Sequence, residues 1–416
     1  MSISSAPAPA SPSHALLIAN LVGQLAFGLL AMTICIPSMQ EWGAIFGSSQ
    51  AAVQLTFSGY VVAYGGLQRI YGPLSDRLGR KRILLLGLGL AGVGSIWGAL
   101  AGDLFSLTSA RVLQGAGAAA GMVVGRAMVQ DLFAGPERTR VMAYIGMAMG
   151  VCPPLATIVG GQLHVRLGWQ ANFVLMALLA LALFVAAWRG LPGRPQVASG
   201  EAPPVQAHWL RAMLDAYARL AREPGFLWYV VVLSMTTATF YAFLAGAPIV
   251  LGSLGVGPAG IGYYIMFVPL SYIVGNYLTS RLVHRLGDQA VMWLGQASSA
   301  CGIGSMLVLA IAGLNTPLAF AVPLMLLGLG NGLLVPPALT GTVGLVPALA
   351  GSAAAVAGLM QQLLGAVGGF AVGLVPHHGA VNLGWLMLAL MGSSALAQAF
   401  LHRGQRRRGP ARALRR

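Results

Sequence analysis

Apolar residues in this chain come in long blocks that short polar stretches interrupt. LLLGLGLAGVGSIWGALAG, residues 84–102, has no charged position. At roughly 1.5 Å per helical residue it is long enough to cross a hydrocarbon core of about 30 Å. Windows of this kind, cut at charged or Pro/Gly-rich breaks, predict spans near 15–37, 50–71, 83–102, 106–130, 139–162 and 168–188. A second set follows near 226–250, 258–279, 289–313, 317–338, 350–375 and 380–401. The expected fold is an all-α polytopic membrane protein of twelve transmembrane helices in two six-helix bundles.

This pattern divides the chain into a disordered tail over 1–14, an N-terminal bundle over 15–188, a linker over 189–225, a C-terminal bundle over 226–401 and a basic tail over 402–416. The linker opens Pro/Gly-rich and continues as HWLRAMLDAYARLARE. There Leu210, Met213, Leu214, Tyr217 and Leu220 recur at helical spacing, which predicts an amphipathic helix lying on the membrane surface. The first residues, MSISSAPAPASPSHA, carry no Lys or Arg ahead of the apolar run, so no cleavable signal peptide is expected. Glycine and alanine strings such as GAGAAAG and GSAAAVAG allow close helix packing within the bundles.

Composition agrees with a bilayer as solvent: 57% of the residues are hydrophobic and 8% charged. The formal charge of +15 raises the question of nucleic acid, but the basic residues sit in short clusters between apolar runs and in the tail. Anionic membrane lipids are therefore the expected partner, and nucleic acid is not. With an even number of spans both termini share a side, and all Lys and Arg except Arg111, Arg126 and Arg166 fall on that side. By the positive-inside rule that side is cytoplasmic, in a bacterial inner membrane. Cys35, Cys152 and Cys301 each lie in an apolar run and offer neither a disulfide framework nor metal-ligand spacing. No metal and no cofactor are expected.

One polar stretch is too specific to be a topology signal alone. GPLSDRLGRKR, residues 72–82, lies between spans 2 and 3. Gly72 and Gly79 suit a tight turn and close helix approach, Asp76 can face a helix N-terminus, and Arg77 and Arg80 can reach acids at other helix ends. Gly72, Leu74, Asp76, Arg77, Gly79, Arg80 and Lys81 together resemble the signature loop of the major facilitator superfamily, as do two groups of six spans over the whole chain. The resemblance implies two six-helix bundles around a cavity that opens alternately to either side. It also implies a latch on the outward-open state, with the Asp set against a later helix start and an Arg paired with an acid at the end of span 4. Here that pair is Arg80 (or Arg77) with Asp131. The second half has only an echo of the loop, SRLVHRLGD at 280–288, without its acid.

Finer features are similar to the drug-efflux branch, closest to the bicyclomycin and chloramphenicol resistance (Bcr/CflA) group. Span 4, RVLQGAGAAAGMVVGRAMVQDLF, matches an Arg-x-x-Gln-Gly element at Arg111, Gln114 and Gly115, and GLGNGLLVPPAL and AGSAAAVAGLMQQLLGAVGG resemble spans 10 and 11. The resemblance implies that Arg111, expensive inside a bilayer, faces the cavity near a proton-handling site. Span 5 keeps Gly150, Pro153, Gly160 and Gly161 of the antiporter element that seals against proton leak.

Two positions depart from that pattern. The span 1 acid of the group is replaced by Thr33, and a later span 5 proline by Thr157. The acids are Glu41, Asp76, Asp103, Asp131, Glu137, Glu201, Asp215, Glu223 and Asp288, none at the middle of a span. Proton coupling would then rest on gate acids, Glu41 or a histidine, although His164 and His284, near span ends, read first as plain interfacial residues. A cavity with Arg111 and no buried acid disfavours lipophilic dications and favours neutral or anionic amphiphiles as substrate. Candidate lining residues are Gln24, Tyr64, Gln114, Tyr241, Asn331 and Gln361, each of which could equally make an interhelical hydrogen bond.

The leading expectation is a secondary transporter, acting as a monomer, that exports small organic molecules by proton antiport. The alternatives are an uncoupled facilitator or importer of a small metabolite and, in another class, a non-transporting membrane sensor. The chain lacks the phosphate-loop, HExxH and GxSxG motifs, so neither an enzyme nor an ATP-driven pump is expected.

Overall fold

The computed structural model describes residues 12–192, 217–346, 349–376 and 379–413. Among them every regular element is helical. The first bundle contains α1 (Pro12–Thr33), α2 (Gln50–Leu78), α3 (Arg80–Ala99), α4 (Leu104–Leu132), α5 (Gly135–Leu167) and α6 (Gln170–Gly190). The second contains α7 (Pro224–Ser253), α8 (Pro258–Leu286), α9 (Asp288–Ile311), α10 (Pro317–Gly344), α11 (Ala350–Leu374) and α12 (Ala380–Ala413). Short turns alternate the helix directions, so both chain ends, the α2–α3 turn and the α4–α5 turn share one face, here the terminal face. The other is the opposite face.

Eleven of the twelve are long and apolar enough by themselves to cross a membrane. The exception is α2, which dilutes its apolar residues with Gln50, Gln54, Thr56, Ser58 and three tyrosines. Its polar groups have work to do at the junction of the bundles. Gln54 donates to Ala245 O of α7 at 3.1 Å, Ser58 to Ala366 O of α11 at 2.8 Å, and Arg69 to Ala355 O of α11 at 2.9 Å. With Gly65, which packs on Gln362, these positions fall on one helical face.

Glycines set how closely the helices approach. In α4, Gly115 lies against the Tyr60 backbone of α2, Gly117 against Gly87 and Ala91 of α3, and Gly121 against Gln24 O of α1. The second bundle repeats this at α10, where Gly328 and Gly332 face α8 and Gly330 faces α9. Without a hydrophobic drive between helices in lipid, such backbone contact supplies the packing energy.

The bundles meet most tightly near the opposite face. There Gly161 of α5 packs on the Pro258 carbonyl, Gly262 of α8 on the Thr157–Ile158 backbone, and Gly373 of α11 on Ala51 of α2. Nearer mid-helix the α5–α8 contact passes to a side chain, Ile273 against Gly150.

Several boundaries differ from expectation. The segment around 72–78 is not a loop: α2 continues through Pro73 to Leu78, and the turn to α3 is made by Gly79 alone, at φ 98°. Gly72 is thus a helical residue, 3.7 Å from Val123 at the position a Cβ would take, and not a turn former. The N-terminal tail gives way at Pro12, where α1 begins, and His14 in it reaches Glu137 at 2.6 Å. The C-terminal segment is helical to Ala413, a continuation of α12 that carries Gly404, Gly409 and Pro410 within it. Most of the expected linker helix lies outside the described residues. Its last turn is present, with Leu220 buried and Tyr217 beneath the Arg69 guanidinium at 5.5 Å.

Because Gly117 touches backbone on α3, Gly117→Leu should cost about 3 kcal/mol or more and lower the monodisperse yield in detergent. Gly89→Ala, with nothing within 4 Å of the added carbon, should unfold like the parent in a thermal melt followed by circular dichroism.

Candidate functional site

The first bundle is organised around the end of α1. Carbonyls in the last turn of a helix lack intrahelical donors. Arg111 of α4 fills that gap. Its NH1 donates to Ala31 O at 2.6 Å and to Gln114 Oε1 at 2.6 Å, and its NH2 donates to Met32 O at 3.2 Å. The guanidinium also lies 4.3 Å from the centre of the Tyr60 ring. Gln114 passes the chain on, donating to Ser95 Oγ at 2.8 Å, and Ser95 donates to Ala91 O.

Arg111 is 2% exposed. Expected to face a cavity, it is enclosed here, with its charge directed at the negative end of the α1 dipole and the face of Tyr60. Thr33, beside it, is fully buried and donates to Leu29 O at 2.8 Å. Thr157 likewise folds back, onto Pro154 O at 2.9 Å.

Gln24 makes the interhelical hydrogen bond that is the alternative to lining a cavity. It points into the first bundle, donating to Asn20 Oδ1 and Leu183 O. Tyr64 and Tyr241, in contrast, come to the junction of α2, α7 and α11. Tyr64 stacks on Tyr60 with ring centres 5.9 Å apart, and its buried hydroxyl lies near Gly28 without a hydrogen-bond partner. Tyr241 donates to Gln362 Oε1 at 2.8 Å and meets Phe57 edge-on. Gln361 turns to Thr237 of α7, at 3.3 Å, while its neighbour Gln362 takes the place against Gly65. Asn331 is buried in α10 with no hydrogen-bond partner among the described residues.

The sequence reading passed over Gln362, Gln54 and Ser58. The i, i+4 spacing of Gln54 and Ser58, extended by Gly65 and Arg69, was the available signal. Arg126, late in α4, is exposed and approaches Met149 Sδ at 3.9 Å. A pocket of about 580 Å³ between α3 and α6 is apolar and away from all these groups.

At the terminal face Arg80 gathers three partners. Its NH1 lies 2.5 Å from Asp76 Oδ1 and 2.7 Å from Ser75 Oγ, and its Nε lies 3.1 Å from Asp131 Oδ2. Lys81 Nζ donates to Leu191 O at 2.8 Å, joining α3 to the end of α6. Arg77 is in the last turn of α2. Asp76, expected against a later helix start, pairs instead with Arg80 within its own bundle.

At the opposite face the span 5 element behaves as a packing surface. Gly160 lies on Ile34 O, just past α1, and Gly161 on α8, while Pro153 and Pro154 sit inside α5. One turn on, His164 Nδ1 is 2.8 Å from Ser38 Oγ and its Nε2 is 2.9 Å from Glu41 Oε2. Asn172 Nδ2 donates to the same Ser38 Oγ at 3.1 Å. His164 is thus no plain interfacial residue.

Lysine cannot reproduce three donations from one planar group. Arg111→Lys should keep the charge yet destabilise the protein by about 2–3 kcal/mol, read as a lower midpoint in a detergent-phase thermal melt. Thr33→Val, which removes only a bond to the residue's own helix, should move that midpoint far less.

A family model described as Major Facilitator Superfamily matches residues 17–369. The chain is 28% identical over 399 residues to multidrug resistance protein D of Escherichia coli K12, covering 94% of this chain and 98% of that protein. It is 29% identical over 385 residues to a chloramphenicol resistance protein of Pseudomonas aeruginosa, covering 90% and 89%. With a bicyclomycin resistance protein homolog of Haemophilus influenzae it shares 26% over 391 residues, covering 91% and 95%. These relatives match the Bcr/CflA drug-efflux group to which the span 4, 10 and 11 segments pointed. Among solved structures, a bacterial homolog of the lysosomal transporter Spinster superposes with TM-score 0.74 at 15% identity, covering 94% of this chain and 97% of that one. The D-xylose-proton symporter does so with TM-score 0.70 at 17% identity, covering 93% and 96%. Both share the fold. The chain belongs to the Major Facilitator Superfamily and is a multi-pass membrane transporter.

Proposed function

We propose that this transporter exports small, neutral amphiphilic molecules by alternating access, driven by proton antiport, with the terminal face in the cytoplasm. The observation that carries the substrate class is the state of Arg111. Its guanidinium is already engaged by Ala31 O, Met32 O and Gln114. A charge compensated in this way asks for no anionic cargo, which narrows the earlier choice of neutral or anionic molecules. The chain also has no carboxylate at mid-span to hold a lipophilic dication. What the junction offers instead is aromatic surface and hydrogen-bonding groups: Tyr64, Tyr241 and Gln362. That is the lining an uncharged drug-sized molecule requires. The names of the relatives, which refer to chloramphenicol, bicyclomycin and multidrug resistance, support export of such compounds.

The direction and mechanism draw on the contacts between the bundles. Backbone-to-backbone packing near the opposite face, with side-chain contacts toward the terminal face, favours a resting form open on the terminal side. The Arg80–Asp131 bridge then serves as the fixed part of the latch, and Asp76 as the part that exchanges Arg80 for the start of α11 when the terminal face closes. Lys81, Arg82, Arg138 and Arg140 lie at that face, where anionic headgroups would hold it in the cytoplasmic leaflet.

A second reading, an uncoupled facilitator, is favoured by Thr33 and Thr157, which replace coupling residues with hydroxyls committed to their own helices. Proteoliposomes with an imposed pH gradient separate the two. Antiport predicts gradient-dependent movement of a neutral phenicol drug that an uncoupler abolishes, and little movement of a cationic dye. Drug movement indifferent to the uncoupler would establish the facilitator instead. Efflux of a quaternary ammonium compound at the phenicol rate would overturn the proposed substrate class.

A further inference from the structure

His164 occupies an unusual position. It lies near the end of α5 with its side chain only 9% exposed, yet it touches a carboxylate that is 45% exposed. Glu41, that carboxylate, lines a polar pocket of about 440 Å³ with Gln40, Gln50, Gly252 and Pro258, between the two bundles on the opposite face. A route for protons therefore leads from solvent on that side to Glu41 and then to the buried imidazole.

The hydrogen bonds behind His164 can be satisfied in two ways. With a neutral ring, Asn172 Nδ2–H donates to Ser38 Oγ, Ser38 O–H donates to Nδ1, and Nε2–H donates to Glu41. With a protonated ring, Nδ1–H donates to Ser38 Oγ, and the Ser38 hydroxyl must find another acceptor. The side chain of Asn172 is fully buried, and its Oδ1 has no partner. A half-turn of the amide puts that oxygen where Nδ2 now stands, 3.1 Å from Ser38 Oγ. Proton uptake then reverses the Ser38–His164 and Asn172–Ser38 bonds and leaves Nε2–H donating to Glu41, while no covalent bond other than N–H changes. Each amide orientation pairs one Asn172 polar atom with Ser38 and leaves the other unpaired, so the two arrangements are close in cost and the network can switch between them.

We propose that His164, Ser38, Asn172 and Glu41 form a proton-binding site facing the opposite side, and that occupancy by one proton tightens closure of the bundles there. Closure is involved because one turn before His164 the paired Gly160 and Gly161 set α5 against Ile34 O beyond α1 and the Pro258 carbonyl of α8. Ser38 and Glu41 belong to the segment just beyond α1 and Asn172 to α6, so the network lies within the first bundle and fixes the segment whose Gln40 packs on Gly252 of α7, the surface on which the second bundle closes. An imidazolium adds a charge-assisted bond to Glu41 and fixes that segment more firmly. Glu41 is the one titratable group brought to His164 among the described residues. Asn172 and Ser38 are neutral, the start of α8 at Pro258–Ala259 has no ionisable side chain, and Arg166, two residues along α5, is exposed. Histidine is the side chain that changes charge between pH 5 and 8, the range a proton gradient explores. The inference complements the antiport reading but does not need it, because protonation and closure can be followed without drug or gradient.

The test uses the full chain in detergent micelles with isotope-labelled histidine, of which there are seven. His164→Gln identifies the His164 resonance by its loss. That resonance should respond to pH in the parent, and its response should change when Glu41→Gln removes the counter-charge of the positive form. Asn172→Ala, which removes the acceptor of the protonated arrangement, should change it too. Fluorescence of Trp42 and Trp169, in edge contact at 5.9 Å on this face, should change through the same pH range in the parent and not in His164→Gln. Should His164→Gln fail to fold, Asn172→Ala must shift the fluorescence midpoint instead. A His164 signal that does not move with pH, a pH response indifferent to Glu41→Gln, or a tryptophan response retained without His164 would each overturn the proposal. A failed drug assay in proteoliposomes would leave these readouts untouched and count only against the antiport reading.

Discussion

A guanidinium buried among membrane helices must find negative charge, and Arg111 takes it from the backbone. Peptide dipoles place roughly half an elementary charge at a helix C-terminus, and α1 ends where Ala31 O and Met32 O face Arg111. The rest of the first bundle follows from this meeting. Within one turn of α4, Arg111 fixes α1, Gln114 fixes α3 through Ser95, and Gly115 lets the backbone of α2 approach closely enough to bring Tyr60 over the guanidinium. The spacing Arg-x-x-Gln-Gly is thus the minimum that reaches three helices from one.

A bundle made rigid in this way can move as a body, and the contacts between the two bundles suit such motion. Backbone packing at glycines forms over short distances and is lost together when the helices part. The bonds made by the polar face of α2 run to carbonyls of α7 and α11, groups whose own helices retain their ladders. The Arg80–Asp131 bridge plays a different part, since both residues belong to the first bundle. Partly exposed, it is worth about 1 kcal/mol or less. It keeps the ends of α3 and α4 in register, and it leaves Asp76 able to change partner at little cost.

The helices and their order were legible because a bilayer imposes one length and one polarity on every span. Even α2, the least apolar, had the right limits at its first end. Its other end was misread because GPLSDRL contains glycine and proline, which break helices in water, whereas here Pro73 is carried within α2 and only Gly79 needs a left-handed φ. Single polar residues in spans were less legible for a geometric reason. Gln24 and Gln361 face helices of their own bundle, while Gln362, one position later, faces the other bundle. A rotation of 100° per residue decides which, and composition does not reveal it. His164 was undervalued because its partners Ser38, Glu41 and Asn172 come from segments far away in sequence, joined only when α1, α5 and α6 pack.

Thr33 gains its meaning from the same core. A carboxylate there would lie beside the carbonyl of Met32 and so beside Arg111, giving the guanidinium a partner whose charge changes with pH. Threonine removes that possibility, and α1 supplies compensation of a fixed kind that no proton can alter. The charge of the core is then constant through the transport cycle. Among the described residues, ionisable pairs lie where helices end: Arg80 with Asp76 and Asp131 and His14 with Glu137 on one face, His164 with Glu41 on the other. On the proposed reading, protons act on how tightly the two faces close, and the middle of the protein is left to the cargo.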